Sequence, residues 1–246
     1  PSAMWNIGRM RHGKIFVSVL LNAKTAREKS CAVFCFAFFG AFGKIAVFKM
    51  KYAGRIILAS ASPRRRELLE RAGVPFDVRV ADVSEDADVS APPERLAVSN
   101  AELKASRVAR ENAERLVLGA DTVVYRNSKI YGKPRDIADA KRMLAELRGG
   151  AHSVFTGVCA AYFDGAELRT KTACGESRVH FKSLDADAIS EYVSKVDVLD
   201  KAGAYAAQEC GSMIIEKIDG DFDNVMGLPV ALAESTLDML AAELKI

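Results

Sequence analysis

Hydroxyl and guanidinium side chains are concentrated in one short stretch that follows an apolar run. Ser60 and Ser62 stand beside Arg64 and Arg65, between a predicted strand and a predicted helix. In open α/β sheets, ligands collect at the carboxyl ends of strands, and a helix N-terminus offers free N–H groups to an anion. Guanidinium groups also match phosphate oxygens in geometry. The stretch therefore indicates polyphosphate binding, and a solvated helix face is the alternative interpretation of Arg64–Arg66.

Carboxylate and ammonium groups elsewhere complete the inventory of a phosphoryl-transfer site. Asp121 ends an apolar run, Glu85 follows the second predicted strand, Lys104 lies on a long predicted helix and Lys133 stands on a loop. Two carboxylates can hold a divalent cation, and lysines can neutralise charge on phosphate oxygens. Each residue alone is more often structural than catalytic. Together they favour phosphoryl transfer with Mg²⁺ or Mn²⁺ over other reaction classes.

Several common catalytic motifs are absent from the sequence. It contains no GxGxxG, GxxxxGK[ST], GxSxG or HExxH pattern, and only two histidines follow Met50, His152 and His180. Dinucleotide binding, P-loop chemistry and histidine-driven hydrolysis therefore lose support. We interpret His152 as a structural hydrogen-bonding residue and His180 as a surface strand residue. Any metal site must use oxygen ligands.

Strand and helix signals after Met50 predict one α/β domain. Predicted strands cover residues 55–59, 76–80, 116–125, 153–163, 169–181 and 212–218, with residues 116–125 forming either a strand pair or one long bent strand. Predicted helices begin near Ser62, Pro92, Asp136, Asp185 and Pro229, where the serine and the two aspartates are expected to cap their helices. Leu103, Cys159 and Cys174 are expected to face the core, and Cys210 to be partly exposed.

Charge and cysteine usage limit the range of partners and compartments. The chain of 246 residues has a net charge of +3, but residues 1–49 hold eight Lys or Arg and one acid. The remainder holds 27 basic and 31 acidic residues, so the body has no general nucleic-acid footprint. The five cysteines form no CxxC pair, which is typical of reduced thiols in a cytoplasmic protein and makes a zinc site unlikely on composition.

The N-terminal region, residues 1–49, differs in composition from the rest. Its stretch Cys31–Phe48 is apolar except for Lys44. A membrane span needs about 20 apolar residues, so this stretch is short for one, and Lys44 interrupts it. A signal peptide and a helix packed on the body are further alternatives. We favour a non-native or mis-called extension, with the functional domain at residues 50–246, and we expect no membrane association.

The ordered motifs of the body together resemble the Maf family of nucleoside triphosphate pyrophosphatases, also described as septum formation inhibitors. The resemblance covers about Arg55 to Leu240 and rests on LASASPRR at residues 58–65, GADTVV at 119–124, GKPRD at 132–136, HSVFTGV at 152–158, DKAGAY at 200–205 and GLP at 227–229. So many short motifs in one order are specific in combination. The resemblance does not extend to residues 1–49.

The resemblance implies a fold and a reaction. The expected fold is α/β, with a mixed central sheet flanked by helices, an inosine-triphosphatase-like topology and a cleft between two lobes. The expected reaction is hydrolysis of a nucleoside triphosphate to the monophosphate and pyrophosphate. By this resemblance Ser60, Arg64 and Lys133 bind the triphosphate, Glu85 and Asp121 hold the metal or act on water, and Lys104 offsets developing charge. Which carboxylate is the base stays open.

Three residues bear on base preference. Arg65, Thr122 and Gln208 together resemble the subgroup acting on dTTP and UTP, in house-cleaning of pyrimidine nucleotides, whereas a subgroup acting on 7-methyl-GTP is expected to carry an aromatic residue in place of Arg65. A glutamine amide can pair with a pyrimidine edge, and a threonine adds a hydrogen bond. Ordinary strand and loop polarity is the alternative for Thr122 and Gln208. A nucleotide-binding regulator of cell division, acting through protein contacts, is the competing function, and a homodimer stays open.

Overall fold

A mixed β-sheet forms the centre of the computed structural model, which describes residues 51–84 and 91–246. The seven-stranded sheet has the order β2-β1-β3-β5-β6-β7, with β4 paired to β3. The strands are β1 (Ile56–Leu58), β2 (Phe76–Val78), β3 (Val117–Arg126), β4 (Lys129–Tyr131), β5 (Ala151–Phe163), β6 (Leu168–Phe181) and β7 (Ile215–Asp219). Strands β2, β1 and β3 run parallel, and the other pairs are antiparallel. The predicted mixed sheet is confirmed.

Helices flank this sheet, which confirms the α/β class. They are α1 (Pro63–Ala72), α2 (Pro93–Glu111), α3 (Ile137–Leu147), α4 (Ala186–Lys195), α5 (Phe222–Met226) and α6 (Val230–Leu244). Asp136 and Asp185 cap α3 and α4 through their side chains, as predicted. Ser62 occupies the N-cap position of α1, but its side chain makes no capping hydrogen bond, so that part of the prediction is wrong.

One edge of β3 is interrupted. Strand β1 pairs with β3 at Val117 and Leu118, and β4 pairs with the same edge from Val124 onwards. Between them, no described strand pairs with that edge of residues 119–123, and this open edge forms a notch in the sheet. Buried clusters on either side of the notch form two lobes, the first around β1, α1, α2 and α6, and the second around α3, α4 and β7. This division agrees with the predicted cleft.

Helix α2 approaches the sheet closely because two glycines face it. A Cβ on Gly119 would lie 2.4 Å from the carbonyl oxygen of Ala101, and one on Gly157 would lie 2.4 Å from that of Ala97. Gly157 is also the cross-strand partner of Asp121. The helix presents alanines to these glycines, so its backbone lies nearer to β3 and β5 than larger side chains would allow. This close packing brings the polar residues of α2 onto Asp121.

The predictions for residues 116–125 and for the burial of individual side chains are partly confirmed and partly wrong. Residues 116–125 form one long strand rather than a pair, and Cys159 is buried as predicted. Leu103 is 39% exposed and Cys174 is also exposed, so their predicted inward positions are wrong. Both lie on amphipathic elements at positions that the neighbouring elements leave uncovered. Cys210 is half-buried, as predicted.

The end of the sheet also departs from prediction. Residues 212–218 do not form one strand, because a short 3₁₀ turn at Gly211–Met213 precedes β7. The turn begins at Cys210, whose φ of 53° is left-handed and incompatible with an extended strand. The short elements β4 and α5 carry too little periodicity to be found from sequence.

The two histidines occupy the predicted kinds of position. His152 is 2% exposed, and its Nε2 lies 2.8 Å from the hydroxyl of Tyr205. His180 lies on β6 near the surface, with its Nε2 2.8 Å from Asp219 Oδ2. Buried packing therefore supports the structural interpretation of His152, and the contact with Asp219 near the surface supports that of His180.

Predictions about Glu85 and about residues 1–49 concern parts of the chain outside the described residues. In residues 51–84 and 91–246, no helix combines the length and the apolar character that a membrane span needs.

Candidate active site

The first group of site residues surrounds Asp121 on the α2 face of the sheet. Lys104 Nζ donates to Asp121 Oδ1 at 2.7 Å, and Asn100 Nδ2 donates to Oδ2 at 3.3 Å. Lys104 and Asp121 have side chains that are only 12% exposed, so water screens this ion pair less than a surface pair. The structure thus brings these two predicted site residues together, with the carboxylate at the open edge of β3.

Asn100 is a site residue that the sequence motifs do not include. It is buried, at 3% exposure, and it lies four residues before Lys104, so both side chains project from one face of α2. This helical spacing was the signal that could have identified it. Together the amide and the ammonium fix both carboxylate oxygens of Asp121.

The second group lies on the opposite face, where Arg65 connects three segments. Its Nε donates to the carbonyl of Gly227 at 2.8 Å, and its terminal nitrogens donate to Ser60 Oγ at 3.0 Å and Thr122 Oγ1 at 3.3 Å. Arg66, by contrast, is exposed. The solvated-face interpretation thus holds for Arg66 but is wrong for Arg65, because long-range partners surround its guanidinium.

Thr122 belongs to a chain of hydroxyl contacts. Its Oγ1 lies 3.0 Å from Thr156 Oγ1, and the Thr156 hydroxyl donates to the carbonyl of Asn224 at 2.9 Å. Because Thr156 donates onwards, the Thr122 hydroxyl must donate to Thr156, and it accepts from Arg65. One acceptor lone pair of Thr122 is then left for a ligand N–H. Thr156 is fully buried and was not found from the sequence.

Ser60 and Ser62 lie together at the start of α1. The backbone N–H of Ser62 donates to Ser60 Oγ at 3.2 Å, so this hydroxyl accepts from both Ser62 and Arg65. Ser60 is 6% exposed, whereas Ser62 is half-buried. Through Arg65, the end of β1, the start of α1 and the edge of β3 therefore meet at one place.

The third group comes from the second lobe. Arg64 donates to Asp200 Oδ2 at 3.4 Å, and Lys201 Nζ donates to Asp200 Oδ1 at 2.7 Å. Gln208 Nε2 donates to Glu209 Oε1 at 3.2 Å. Arg64 thus connects α1 to the loop that also carries Gln208. No role was predicted for Asp200 or Lys201, although both lie in a recognised motif.

Burial and neighbouring charges shift the pKa of Asp200 in opposite directions. Partial burial raises its pKa, but the hydrogen bond and charge of Lys201 and the charge of Arg64 outweigh burial, so the pKa lies below the usual range. The carboxylate is therefore ionised at neutral pH.

Lys133 lies on the same side of the cleft. It is exposed, and within the described ranges its side chain makes no hydrogen bond or ion pair. The preceding residue, Gly132, accepts a hydrogen bond from the Gly203 backbone N–H at 3.0 Å, which joins the two loops. The Lys133 ammonium is therefore accessible to an anion from solution.

The donor set can be compared with the needs of a divalent cation. Across residues 51–84 and 91–246, no three His, Cys, Asp or Glu side chains form a metal-binding group. Mg²⁺, however, is often held by one or two carboxylates together with substrate phosphates and water. Asp121 at the open edge of β3 is a carboxylate of this kind, so the residues fit a cation that arrives with a polyphosphate.

The chain belongs to the Maf-like protein family, which residues 55–240 match. A protein named dTTP/UTP pyrophosphatase from Gloeobacter violaceus is 46% identical over 187 residues, covering 76% of this chain and 95% of that protein. Proteins of the same name from Akkermansia muciniphila and Bacillus cereus strain AH820 are 46% and 45% identical, covering 71% and 72% of this chain and 90% and 91% of their own lengths. The resemblance drawn from the motifs is confirmed.

Among solved structures, the Staphylococcus aureus Ham1 protein matches this chain with a TM-score of 0.41 and 15% identity. It covers 77% of this chain and 100% of its own.

Proposed function

We propose that this chain hydrolyses dTTP and UTP to the nucleoside monophosphate and pyrophosphate. The observation that carries the proposal is the buried Asp121–Lys104 pair at the notch. The chain is also about 45% identical to proteins named for this activity. Water attacks the α-phosphorus, and the bond to the bridging oxygen of the β-phosphate breaks. The products are one monophosphate and one pyrophosphate.

The triphosphate binds between the lobes in this proposal. Ser60 and Ser62 offer hydroxyl groups at the start of α1, whose N–H groups and dipole favour an anion. Arg64 and Lys133 supply positive charge from opposite sides of the cleft. Arg64 must exchange its 3.4 Å contact with half-exposed Asp200 for a phosphate oxygen, which costs little because exposed ion pairs are weak.

Asp121 positions or deprotonates the attacking water. Its carboxylate is fixed by Lys104 and Asn100, so it requires little reorganisation during the reaction. Lys104 also offsets negative charge that develops on the phosphate. Mg²⁺ or Mn²⁺ bound with the substrate would be held by Asp121, with Glu85 as the second proposed ligand, and would neutralise the pyrophosphate leaving group.

Base selection is assigned to Gln208 and Thr122. The groups that bind phosphate touch only what all nucleotides share, so they cannot distinguish bases. Gln208 offers an amide with donors and an acceptor, and Thr122 retains one acceptor lone pair. Arg65, with three partners in the fold, positions Thr122 and Ser60 rather than contacting the base.

The deciding experiment is a nucleotide panel with the full chain and Mg²⁺, measuring both pyrophosphate and free phosphate. We expect dTTP and UTP to be hydrolysed fastest, with pyrophosphate as the inorganic product. Faster hydrolysis of 7-methyl-GTP would contradict the pyrimidine assignment. Release of free phosphate alone would contradict the bond that is cleaved, and no hydrolysis with nucleotide-dependent protein binding would favour the regulator.

A further inference from the structure

Lys201 is a buried cation at the centre of the loop that joins α4 to β7. We call residues 197–209 the 200-loop. Lys201 is 4% exposed, and its ammonium donates to the carbonyl of Asp197 and, at 2.7 Å, to Asp200 Oδ1. It also lies 3.6 Å from Glu209 Oε1. One ammonium therefore connects the two ends of the 200-loop.

The two carboxylates beside Lys201 each contact a proposed substrate-binding residue. Asp200 Oδ2 accepts from Arg64 at 3.4 Å, while its other oxygen faces Lys201. Glu209 Oε1 accepts from the Gln208 amide at 3.2 Å. Arg64 is assigned to the triphosphate and Gln208 to the base, so the network around Lys201 touches both halves of the substrate site.

We propose that Lys201 is a positioning residue that sets both triphosphate affinity and base selection, through Asp200 and Glu209. The proposal rests on the proposed function. Lys201 does not contact the nucleotide. It offsets part of the negative charge that two carboxylates would otherwise present to the substrate, and it fixes them beside Arg64 and Gln208.

Exposure explains why the charge of Lys201 matters for binding rather than for folding. The side chains of Asp200 and Glu209 are 51% and 43% exposed, whereas that of Lys201 is 5% exposed. Without the ammonium, water can solvate both carboxylates, so the fold does not bury an unpaired charge. Each carboxylate would, however, keep its negative charge close to the phosphates or to the Gln208 amide.

The test is Lys201→Met, which keeps the length and removes the charge. Inorganic tripolyphosphate reports on the phosphate half, because it has no base, and the UTP-to-GTP ratio of kcat/KM reports on the base half. We expect the inhibition constant of tripolyphosphate to rise about tenfold and the UTP-to-GTP ratio to fall about tenfold. The same substitution at exposed Lys195 of α4, Lys195→Met, is the matched control and should change neither.

Second substitutions separate the two halves. Adding Asp200→Asn to Lys201→Met should restore tripolyphosphate inhibition to within about threefold of the wild type, but not the ratio, because Glu209 stays uncompensated. Adding Glu209→Gln should restore the ratio but not tripolyphosphate inhibition. A residue that merely stabilised the loop would show neither selective rescue, so failure of both rescues, or unchanged values in Lys201→Met, overturns the proposal.

A Lys201→Met variant that does not fold, or a wild type without activity, still leaves the proposal testable. If Lys201→Met does not fold, Asp200→Asn alone decides. It removes one negative charge beside Arg64, leaves Lys201 balanced by Glu209 and should tighten tripolyphosphate binding about threefold, and unchanged binding overturns the proposal. Calorimetric titration with tripolyphosphate requires no turnover. A wild type that hydrolyses no nucleotide therefore contradicts the proposed function, while the effects on tripolyphosphate binding still test Lys201.

Discussion

The two lobes place their site residues by different physical means. In the first lobe, alanines of α2 pack against Gly119 and Gly157, and this contact sets Lys104 and Asn100 on Asp121. In the second lobe, the 200-loop has no regular strand or long helix, and polar contacts hold it. Packing defines the position of a side chain tightly, whereas a loop depends on a few hydrogen bonds. We therefore expect the first lobe to control turnover and the second to control binding and selection.

Buried polar groups anchor the 200-loop to the core of the second lobe. The Tyr192 hydroxyl accepts from the Ala206 backbone N–H at 3.0 Å and donates to the Ala206 carbonyl at 3.3 Å. The Tyr205 hydroxyl lies 2.8 Å from His152 Nε2. The ring centroid of Tyr205 lies 4.9 Å from that of Phe181 in an edge-to-face arrangement. These contacts fix the backbone that carries Gln208, because each buried polar group needs its partner.

The strongest test of the first lobe is Asp121→Asn. Asparagine keeps the size and can still accept from Lys104, but it loses the charge that activates water or holds a cation. We expect turnover of UTP to fall by about 10³-fold or more while nucleotide binding persists. Steady-state kinetics and titration with a non-hydrolysable UTP analogue measure the two effects.

Asp185→Asn is the matched control for this substitution. Asp185 caps α4 far along the chain from the notch, and asparagine caps a helix about equally well. Normal turnover in Asp185→Asn and in Asp121→Asn alike would show that Asp121 is not catalytic.

Gly157→Ala tests whether packing of α2 positions the site. The added Cβ would lie 2.4 Å from backbone atoms of Ala97, so the helix must move away from the sheet beside Asp121. We expect a loss of about 1–3 kcal/mol in unfolding free energy, and a loss of kcat larger than the change in KM.

Gly132→Ala provides a stability control, because a Cβ there would meet nothing within 4 Å. Urea unfolding and UTP kinetics of the two glycine variants make the comparison. Unchanged kcat in a destabilised Gly157→Ala protein would show that the close packing of α2 does not control catalysis.

His152 makes the second lobe sensitive to acid. Burial, and then the charges of Arg126 and His180, lower the pKa of His152 from 6.5 to about 3. Below the unfolded-state pKa, the unfolded chain binds a proton that the folded chain does not, so stability falls as the pH drops from 6.5 towards 3. This single group should cost about 2 kcal/mol of unfolding free energy at about pH 5.

The measurement compares urea unfolding at about pH 7.5 and about pH 5 for the wild type and for His152→Gln, which cannot titrate in this range. The wild type should lose about 2 kcal/mol more than the variant. Equal losses in the two proteins would show that His152 does not control the acid sensitivity.

Local patterns predicted much of the fold. Capping aspartates located α3 and α4, the left-handed Gly73 ended α1, and the long apolar runs gave β3, β5 and β6. Short elements such as β4 and α5 were missed because three to five residues show no clear period. Exposure of Leu103 and Cys174 depends on which elements cover them, and one strand or helix pattern does not carry that information.

The site shows the same division between local and distant information. Asp121 and Lys104 were each predicted as site residues, and in the structure they are in contact at 2.7 Å. The contact of Arg65 with Gly227 joins residues far apart in the chain, and so does that of Arg64 with Asp200. Such contacts arise from tertiary packing. Residue type and spacing therefore indicate phosphate chemistry, but they do not show which arginine is exposed to solvent and which contacts another loop.

Gln208→Ala is the most selective test of the second lobe and has the smallest expected effect. Removing the amide takes away hydrogen bonds to the base but leaves the phosphate-binding groups and Asp121 in place. A site that pairs with one base edge discriminates by about 1–3 kcal/mol per polar group, because a wrong base leaves that group unpaired. We therefore expect the UTP-to-GTP ratio of kcat/KM to fall about tenfold, with tripolyphosphate inhibition unchanged. Gln208→Glu keeps the size but adds negative charge beside Glu209, and should lower UTP turnover further. If Gln208→Ala instead lowers turnover of UTP and GTP equally, the 200-loop supports catalysis in general, and the separation of roles between the two lobes is wrong.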